Sequence, residues 1–333
     1  MRRVLSLDGA WRIAYFEDGE GEGRGAFREG YPAKDWLAAE VPGDVHLDLT
    51  RAGRASDPFF GKNSEGVRWV EEKEWWYRRE FEVPDDFRGD REELVFEGLD
   101  CYATVWLNGE EIGKHANALI PCSFDVTGKI RRGQRNVIAV RLSSPVRTVA
   151  GRRDPNVPEG LPHRERVFSR KAQVSYGWDF APRLVTIGIW RGVTLRAYSG
   201  VVIEDVFIRP RTVRKDEAWV DLEVRLRSYL RVAREVTVDV VAGCGESRAR
   251  RLLSLVVKPG ANALSLGLRL ANAKLWWPWN VGSPNLYDLR LRVLSGEEVL
   301  DEYQTRFGVR EVKLILKEDG GNVFNFIING KRV

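Results

Sequence analysis

Short runs of alternating apolar and polar residues, separated by turn residues, recur along almost the whole 333-residue chain. Almost no segment shows the 3.6-residue period of a helix. Alternation with a period of two places successive side chains on opposite faces of a strand, so the pattern predicts an all-β protein. The clearest hairpin joins residues 103–107 to 111–115 through Asn108–Gly109, because both turn residues tolerate positive φ.

Two segments near the start of the chain break this alternation. Residues 17–30 are rich in Gly and charge, and we predict a solvated loop. Residues 41–49 predict a Pro–Gly turn followed by an alternating strand. They contain His46, which we interpret as structural because no Ser or Cys nucleophile signature accompanies it. The remaining strands of the first 200 residues are predicted at 5–15, 76–83, 93–97, 124–126, 136–142 and 193–197.

A second domain is predicted to begin near Val201, where alternating runs follow one another at roughly 8–12-residue spacing. This spacing is typical of a β-sandwich of about 100 residues. The sequence therefore divides into 1–200, 201–310 and 311–333. The last part begins a strand pair, and no full strand follows its Asn329–Gly330 turn, so the chain is expected to be truncated.

Composition excludes several functional classes. The net charge of +5 comes from 53 basic residues interleaved with 48 acidic ones, which argues against the basic stripe of a nucleic-acid binder. No apolar run approaches the ~20 residues of a membrane span, and the N-terminus lacks a signal-peptide core. We expect a cytoplasmic protein without membrane contact. The three cysteines are too few and too widely spaced for a disulfide framework or a zinc site. The sequence shows no clustering of metal ligands, and no metal and no cofactor is predicted.

The candidate site lies in residues 169–193, where Asp179 stands between Trp178 and Phe180. A carboxylate between aromatic faces suits a sugar ring, which has apolar C–H faces and hydroxyl donors at its edge. From composition alone, however, core packing is the favoured interpretation, with Asp179 capping a turn. The preceding residues 145–166 contain four prolines and predict a long loop. Because loops beyond ~12–15 residues are usually functional or disordered, we expect this one to be functional.

A series of motifs extends over the whole chain in a fixed order. They are Leu7–Asp8–Gly9–Ala10–Trp11, Val41–Pro42–Gly43–Asp44–Val45–His46, Asp57–Pro58–Phe59–Phe60–Gly61, Val105–Trp106–Leu107–Asn108–Gly109, Lys171–Ala172–Gln173, Gly177–Trp178–Asp179, Gly188–Ile189–Trp190–Arg191, Trp276–Trp277–Pro278, Phe307–Gly308–Val309–Arg310 and Ile328–Asn329–Gly330–Lys331. In this order and spacing the chain resembles the N-terminal half of a glycoside hydrolase family 2 enzyme, most closely a β-mannosidase.

The resemblance implies a sugar-binding, galactose-binding-like jelly roll, then an immunoglobulin-like sandwich, then a (β/α)8 barrel that carries both catalytic glutamates. Retaining glycosidases need two carboxyl groups ~5–5.5 Å apart. In the family the acid/base follows an Asn, and no Asn–Glu pair occurs in this sequence. We therefore nominate no catalytic residue, and the 333 residues alone are expected to be inactive.

The resemblance also implies roles at the candidate site. Trp178 would stack on or wall the sugar ring, and Asp179 would accept hydrogen bonds from its hydroxyls. Arg170 and Lys171 are weaker candidates for substrate binding, since they could hold that carboxylate or the loop, and plain surface pairing remains an alternative.

One departure from the family concerns the two residues after Asp179. The family usually has Gly–Trp–Asp–Trp–Gly–Pro. In this chain Phe180 replaces the second Trp, and Ala181 replaces the second Gly. Phe180 lacks the indole N–H donor, and Ala181 would be disfavoured if its position needs positive φ.

The function expected from the resemblance is that of the non-catalytic portion of an exo-acting, retaining β-mannosidase-like glycosidase. Its partners would be a terminal β-mannoside and its own barrel, with a possible homodimer. Two alternatives stay open: a stand-alone carbohydrate-binding β-sandwich protein, and the same region of a β-galactosidase, β-glucuronidase or exo-glucosaminidase.

Overall fold

The computed structural model describes residues 2–214, 216–318 and 320–333, with the exception of the Thr212 side chain. These residues form two compact units, residues 3–197 and residue 2 together with 198–333. Within the described residues, none of the helices has the length and apolar character needed to cross a membrane. Strands dominate both units, which confirms the predicted all-β class.

The first unit is a sandwich of two facing sheets. Its strands are β1 (Arg2–Ser6), β2 (Gly9–Phe16), β3 (Leu37–Val41), β4 (Glu74–Glu82), β5 (Arg91–Phe96), β6 (Tyr102–Leu107), β7 (Glu110–Ala116), β8 (Cys122–Asp125), β9 (Arg135–Ser143) and β10 (Val193–Tyr198). One sheet has the order β3-β2-β4-β9-β6-β7 and is antiparallel throughout. The other has the order β1-β10-β5-β8. One apolar core fills the space between them.

Alternation on β4 explains how the six-stranded sheet buries both of its faces. Trp75 and Tyr77 belong to the core between the sheets, whereas Trp76 lies on the outer face and stacks on Trp106 with ring centroids 5.1 Å apart. Phe27 also stacks on Trp106, with ring centroids 5.6 Å apart. A four-residue helix, α1 (Glu20–Gly23), belongs to the same segment as Phe27.

The prediction that residues 17–30 form a solvated loop is therefore right for the residues that stay exposed and wrong for those that pack on the sheet. Ala26 is fully buried, and the backbone N–H of Gly21 donates to Glu74 Oε1 at 2.9 Å. The segment is mostly charged residues and Gly, so its composition did not indicate that its few apolar residues pack against the sheet.

The alternating strand predicted over residues 41–49 is also wrong, because a helix, α2 (Val45–Arg51), occupies most of it. Asp44 is its N-cap and accepts a hydrogen bond from the backbone N–H of His46 at 2.8 Å. Val45 and Leu49, four residues apart, both face the core, whereas Leu47 is exposed. His46 is buried, with Nδ1 2.9 Å from Asp44 Oδ1. Another four-residue α-helix, α3 (Asn63–Gly66), follows.

The second unit contains a sandwich of three and four strands, as expected for an immunoglobulin-like domain. Its strands are β11 (Val201–Val213), β12 (Glu217–Ser228), β13 (Arg234–Cys244), β14 (Ser247–Val257), β15 (Gly260–Ala271), β16 (Tyr287–Ser295) and β17 (Glu298–Phe307). The sheets have the orders β11-β12-β15 and β14-β13-β16-β17, with an apolar core between them. The predicted strand pair after residue 311 forms an antiparallel hairpin of β18 (Val312–Glu318) and β19 (Gly321–Ile328), extended by β20 (Lys331–Arg332).

Candidate functional site

A tight turn presents the candidate residues to solvent. Trp178 and Ala181 exchange two backbone hydrogen bonds, with N···O distances of 3.0 and 3.3 Å, so Asp179 and Phe180 form the tip between them. Phe180 is 78% exposed. Gly177, which leads into the turn, has a φ of 99° and needs the freedom of glycine. Ala181 has no positive φ, so it replaces the usual glycine without backbone strain.

Trp178 and Phe180 are exposed, and none of the described backbone N–H groups donates to the Asp179 carboxylate, so the interpretation that composition alone favoured, two core rings with Asp179 capping a turn, is wrong. Trp178 is 50% exposed, although the Arg166 guanidinium lies over its ring with the Cζ atom 4.6 Å from the centroid. Asp179 is exposed, and its carboxylate makes no hydrogen bond or ion pair with any residue that the structure describes. Both carboxylate oxygens therefore remain available as acceptors.

The turn forms one wall of a cleft of about 450 Å³ within the first unit. The side chains that give the cleft its chemistry are those of Arg68, His163, Arg166, Trp178, Asp179 and Arg183. The proline-rich loop supplies two of them at its C-terminal end, His163 and Arg166. This placement explains how a long irregular segment contributes to the site that follows it in sequence.

Arg183 is neutralised by two glutamates rather than by Asp179. Its guanidinium lies 2.8 Å from Glu71 and 2.8 Å from Glu165, and it donates to His163 Nδ1 at 2.9 Å. Burial acts to lower the pKa of Arg183, but the hydrogen bonds to the two glutamates outweigh it and raise that pKa. Because guanidinium can only donate, His163 accepts at Nδ1 and carries its proton on Nε2.

Lys171 holds the segment through buried contacts instead of forming an ion pair at the surface. Its side chain is fully buried, with Nζ 3.0 Å from Asp100 Oδ2 and 2.5 Å from the Thr186 carbonyl oxygen. The Thr186 hydroxyl also donates to Asp100, at 2.6 Å. Burial raises the pKa of the Asp100 carboxyl, while the Lys171 ammonium opposes that rise. The alternative that Lys171 forms an ion pair at the surface is therefore wrong. Its ammonium makes no contact with Asp179 either. Of the roles considered from the sequence, holding the loop is the one that its contacts fit.

Arg170, by contrast, is exposed and is not among the residues that line the cleft. Its carbonyl accepts a hydrogen bond from the Ala118 N–H at 2.8 Å, which ties the backbone of the segment to the loop after β7. The side chain itself has no hydrogen-bond or ion-pair partner among the described residues.

The sequence did not identify Arg68, Arg166 or His163 as site residues. The proline-rich loop indicated that a functional segment was present, but no spacing within it singles out Arg166. The cleft is lined by one carboxyl group among the described residues, that of Asp179. It therefore offers aromatic surface and hydrogen-bond acceptors, but not the two carboxyl groups of a retaining glycosidase.

Comparison with known proteins assigns both units to one family. Residues 22–191 match the family described as glycosyl hydrolase 2 galactose-binding domain-like, and residues 201–310 match the one described as glycosyl hydrolases family 2. The chain belongs to glycoside hydrolase family 2.

The relatives of this family 2 chain include β-mannosidases. It is 31% identical to β-mannosidase B of Thermothelomyces thermophilus over 89% of its own length and 34% of that protein. The crystal structure of the β-D-mannosidase from Dictyoglomus thermophilum matches 99% of the chain and 39% of that protein, with a TM-score of 0.87 and 35% identity. A β-glucuronidase of Bacteroides uniformis, with a TM-score of 0.70 and 17% identity over 99% of the chain and 34% of its own, shares the fold. The chain thus spans about a third of the length of the curated relatives it matches.

Proposed function

We propose that this chain is the sugar-recognition portion of an exo-acting, retaining β-mannosidase-like glycosidase. The observation that carries the proposal is the exposed, unpaired carboxylate of Asp179 beside the half-exposed ring of Trp178 in one cleft. An indole packs on the apolar face of a sugar, and a carboxylate accepts hydrogen bonds from its hydroxyls. The similarity to β-mannosidases over most of the chain supports a terminal β-mannoside as the ligand.

In this proposal the chain selects the sugar and another part of the protein cleaves it. Asp179 can accept from two neighbouring hydroxyls at once, so it discriminates their configuration, and an analogue that leaves it unpaired is rejected. The two carboxyl groups that perform the cleavage belong to a (β/α)8 barrel of the same protein.

The test is hydrolysis of four 4-nitrophenyl glycosides by the complete gene product: the β-D-mannoside, β-D-galactoside, β-D-glucuronide and β-D-glucosaminide. We expect the mannoside to have the highest kcat/KM. A higher value for one of the other three would overturn the mannoside assignment. Hydrolysis of none of them would overturn the enzymatic role and favour a carbohydrate-binding protein.

A further inference from the structure

A second cavity of the first unit, of about 560 Å³, lies against strands β2, β3 and β4. It shares no lining residue with the cleft described above. Four cationic side chains and one anionic side chain line it, namely Arg12, Lys34, Arg78, Arg79 and Glu80. The one carboxylate, that of Glu80, already lies 3.2 Å from Arg135, which is outside the lining. The cavity, which we call the arginine pocket, therefore has a lining with three positive charges in excess.

Two of these arginines face each other across neighbouring strands. Arg12 of β2 and Arg78 of β4 are paired residues in the antiparallel ladder. Both side chains leave the sheet on the face away from the core, because Trp11 and Tyr77, next to them in sequence, belong to the core. Like charges at directly opposed positions destabilise a sheet. Among the residues that the structure describes, no carboxylate forms an ion pair with either guanidinium.

Backbone carbonyl groups hold the three arginines of the arginine pocket without neutralising them. The acceptors are the carbonyl oxygens of Lys34, Ala26 and Asp8, which lie 2.9, 3.1 and 2.9 Å from Nη1 of Arg12, Arg78 and Arg79, respectively. A carbonyl oxygen fixes the orientation of a guanidinium but carries no net charge. The buried Nε of Arg79 has no hydrogen-bond partner among the described residues. The guanidinium groups are thus held in place with donors to spare.

Burial makes this excess of positive charge unfavourable. Arg78 is only 3% exposed, and burial lowers the pKa of its guanidinium. Burial also lowers the pKa of Arg79, and the Asp8 carboxylate opposes that change without outweighing it. A charged group taken out of water is costly unless an opposite charge accompanies it. A bound anion would supply the opposite charge that the lining lacks.

We infer that the arginine pocket binds a phosphate group, either as free phosphate or as the phosphate ester of a small molecule. A phosphate ester carries about 1.5 to 2 negative charges at pH 7, and its oxygens match the planar donor set of a guanidinium. Arg12 and Arg79 each bond the described acceptors through Nη1 alone, so their other N–H groups can donate to those oxygens. The inference goes beyond the proposed function and does not depend on it.

The size of the arginine pocket leaves room for an organic group beside the phosphate. Ala10, Ala33 and Ala38 line it, and their small side chains keep it open. Tyr31 and Pro32 add apolar surface at one side. A cavity of about 560 Å³ has the volume typical of small-molecule sites.

The test is calorimetric titration of the complete gene product at low salt with inorganic phosphate, methyl phosphate and phenyl phosphate. Acetate is the comparison, because it carries a single charge. We expect at least one of the three phosphates to bind about tenfold or more tightly than acetate, and its affinity to fall as salt is added. Tightest binding of inorganic phosphate would identify free phosphate as the ligand, and tightest binding of either ester would identify a phosphate ester.

Three variants connect phosphate binding to the arginine pocket. Arg12→Gln, at an exposed position, removes one charge and should weaken phosphate binding about ten- to a hundredfold. Lys34→Gln, also exposed, should weaken it several-fold. Arg88→Gln is the matched control, because Arg88 is exposed, donates to the Asp85 carbonyl oxygen at 3.0 Å and lies outside the lining. It removes the same charge from the protein and should leave phosphate affinity unchanged.

Binding of none of the three phosphates would overturn the inference. Acetate affinity equal to that of the phosphates would overturn it as well, because the site would then respond to charge alone. Equal phosphate affinities of the Arg12 and Arg88 variants would place the phosphate elsewhere and would also overturn it. The proposed function is judged separately, by the hydrolysis of the aryl glycosides.

Discussion

Replacing Lys171 with Met should destabilise the first unit more than any nearby surface change. The substitution leaves the Asp100 carboxylate buried, with the Thr186 hydroxyl as its remaining donor and with Oδ1 unpartnered. Removing one member of a buried ion pair costs about 3–5 kcal/mol. Because Asp100 can take up a proton when its counter-ion is lost, we expect a loss of about 3 kcal/mol at pH 7, near the lower limit of that range.

The assay is guanidinium unfolding followed by tryptophan fluorescence, since most of the twelve tryptophans lie in the first unit. Arg170→Met is the matched control, and this exposed cation should change stability by less than about 0.5 kcal/mol. Adding Asp100→Asn to the Lys171 variant removes the unpaired buried charge of the Asp100 carboxylate. The double variant should regain about 1–2 kcal/mol of unfolding free energy.

The destabilisation caused by Lys171→Met should also shrink as the pH falls towards 4, because a protonated Asp100 no longer needs a counter-charge. A loss below about 1 kcal/mol at pH 7, or a loss equal to that of the Arg170 control, would refute the anchoring role of Lys171.

Two other substitutions test electrostatics and packing in the first unit. Asp48→Asn should raise stability by about 1–3 kcal/mol between pH 6 and 8, because burial raises the pKa of the Asp48 carboxyl to about 6. The folded protein holds this proton more tightly than the unfolded chain, so wild-type stability should fall as the pH rises from about 4 to about 6, and the variant should lack that fall. Gly21→Ala should cost about 2 kcal/mol in an unfolding experiment, because the added Cβ would lie 2.2 Å from Trp76 Nε1.

The Gly21 substitution has a matched control in the same helix. Gly23→Ala, in the same short helix, meets nothing within 4 Å, so it should be neutral or slightly stabilising. Equal effects of the two glycine variants would contradict the packing of residues 17–30 on the sheet. For Asp48, parallel stability curves of wild type and variant from pH 4 to 8 would contradict the raised pKa.

The strands could be predicted because their signal is local. On β12 alternate residues face the core, and in the β6–β7 hairpin Asn108 and Gly109 adopt the positive φ values, 53° and 83°, that their types permit. At Val45, Leu47 and Leu49 the local signal is ambiguous, because the same residues fit a strand by alternation and a helix by their four-residue spacing. Packing against the core and the Asp44 cap decided for the helix.

The candidate site was predictable only in part, for a related reason. Trp178 and Asp179 could be found because their types and their neighbours suit a sugar, and the family motif supported them. The partner of Lys171 is Asp100, which lies 71 residues away in sequence, and no local sequence pattern indicates a contact over that distance. Arg166 stands in an irregular loop without periodicity, so its stack on Trp178 emerges only from the tertiary structure.

Sugar recognition by Asp179 is tested most directly by the kcat/KM of the Asp179→Ala variant of the complete gene product on 4-nitrophenyl β-D-mannoside. Since Asp179 is exposed and makes no interaction with the described residues, the variant should keep the wild-type melting temperature. The loss of two charge-assisted hydrogen bonds, at about 1.5–3 kcal/mol each, predicts a decrease of about 10²- to 10⁴-fold. Asp35→Ala, at another exposed aspartate of the same unit that makes no ion pair with a described residue, should retain wild-type activity. Near wild-type kcat/KM for the Asp179 variant would contradict recognition of the sugar by this carboxylate.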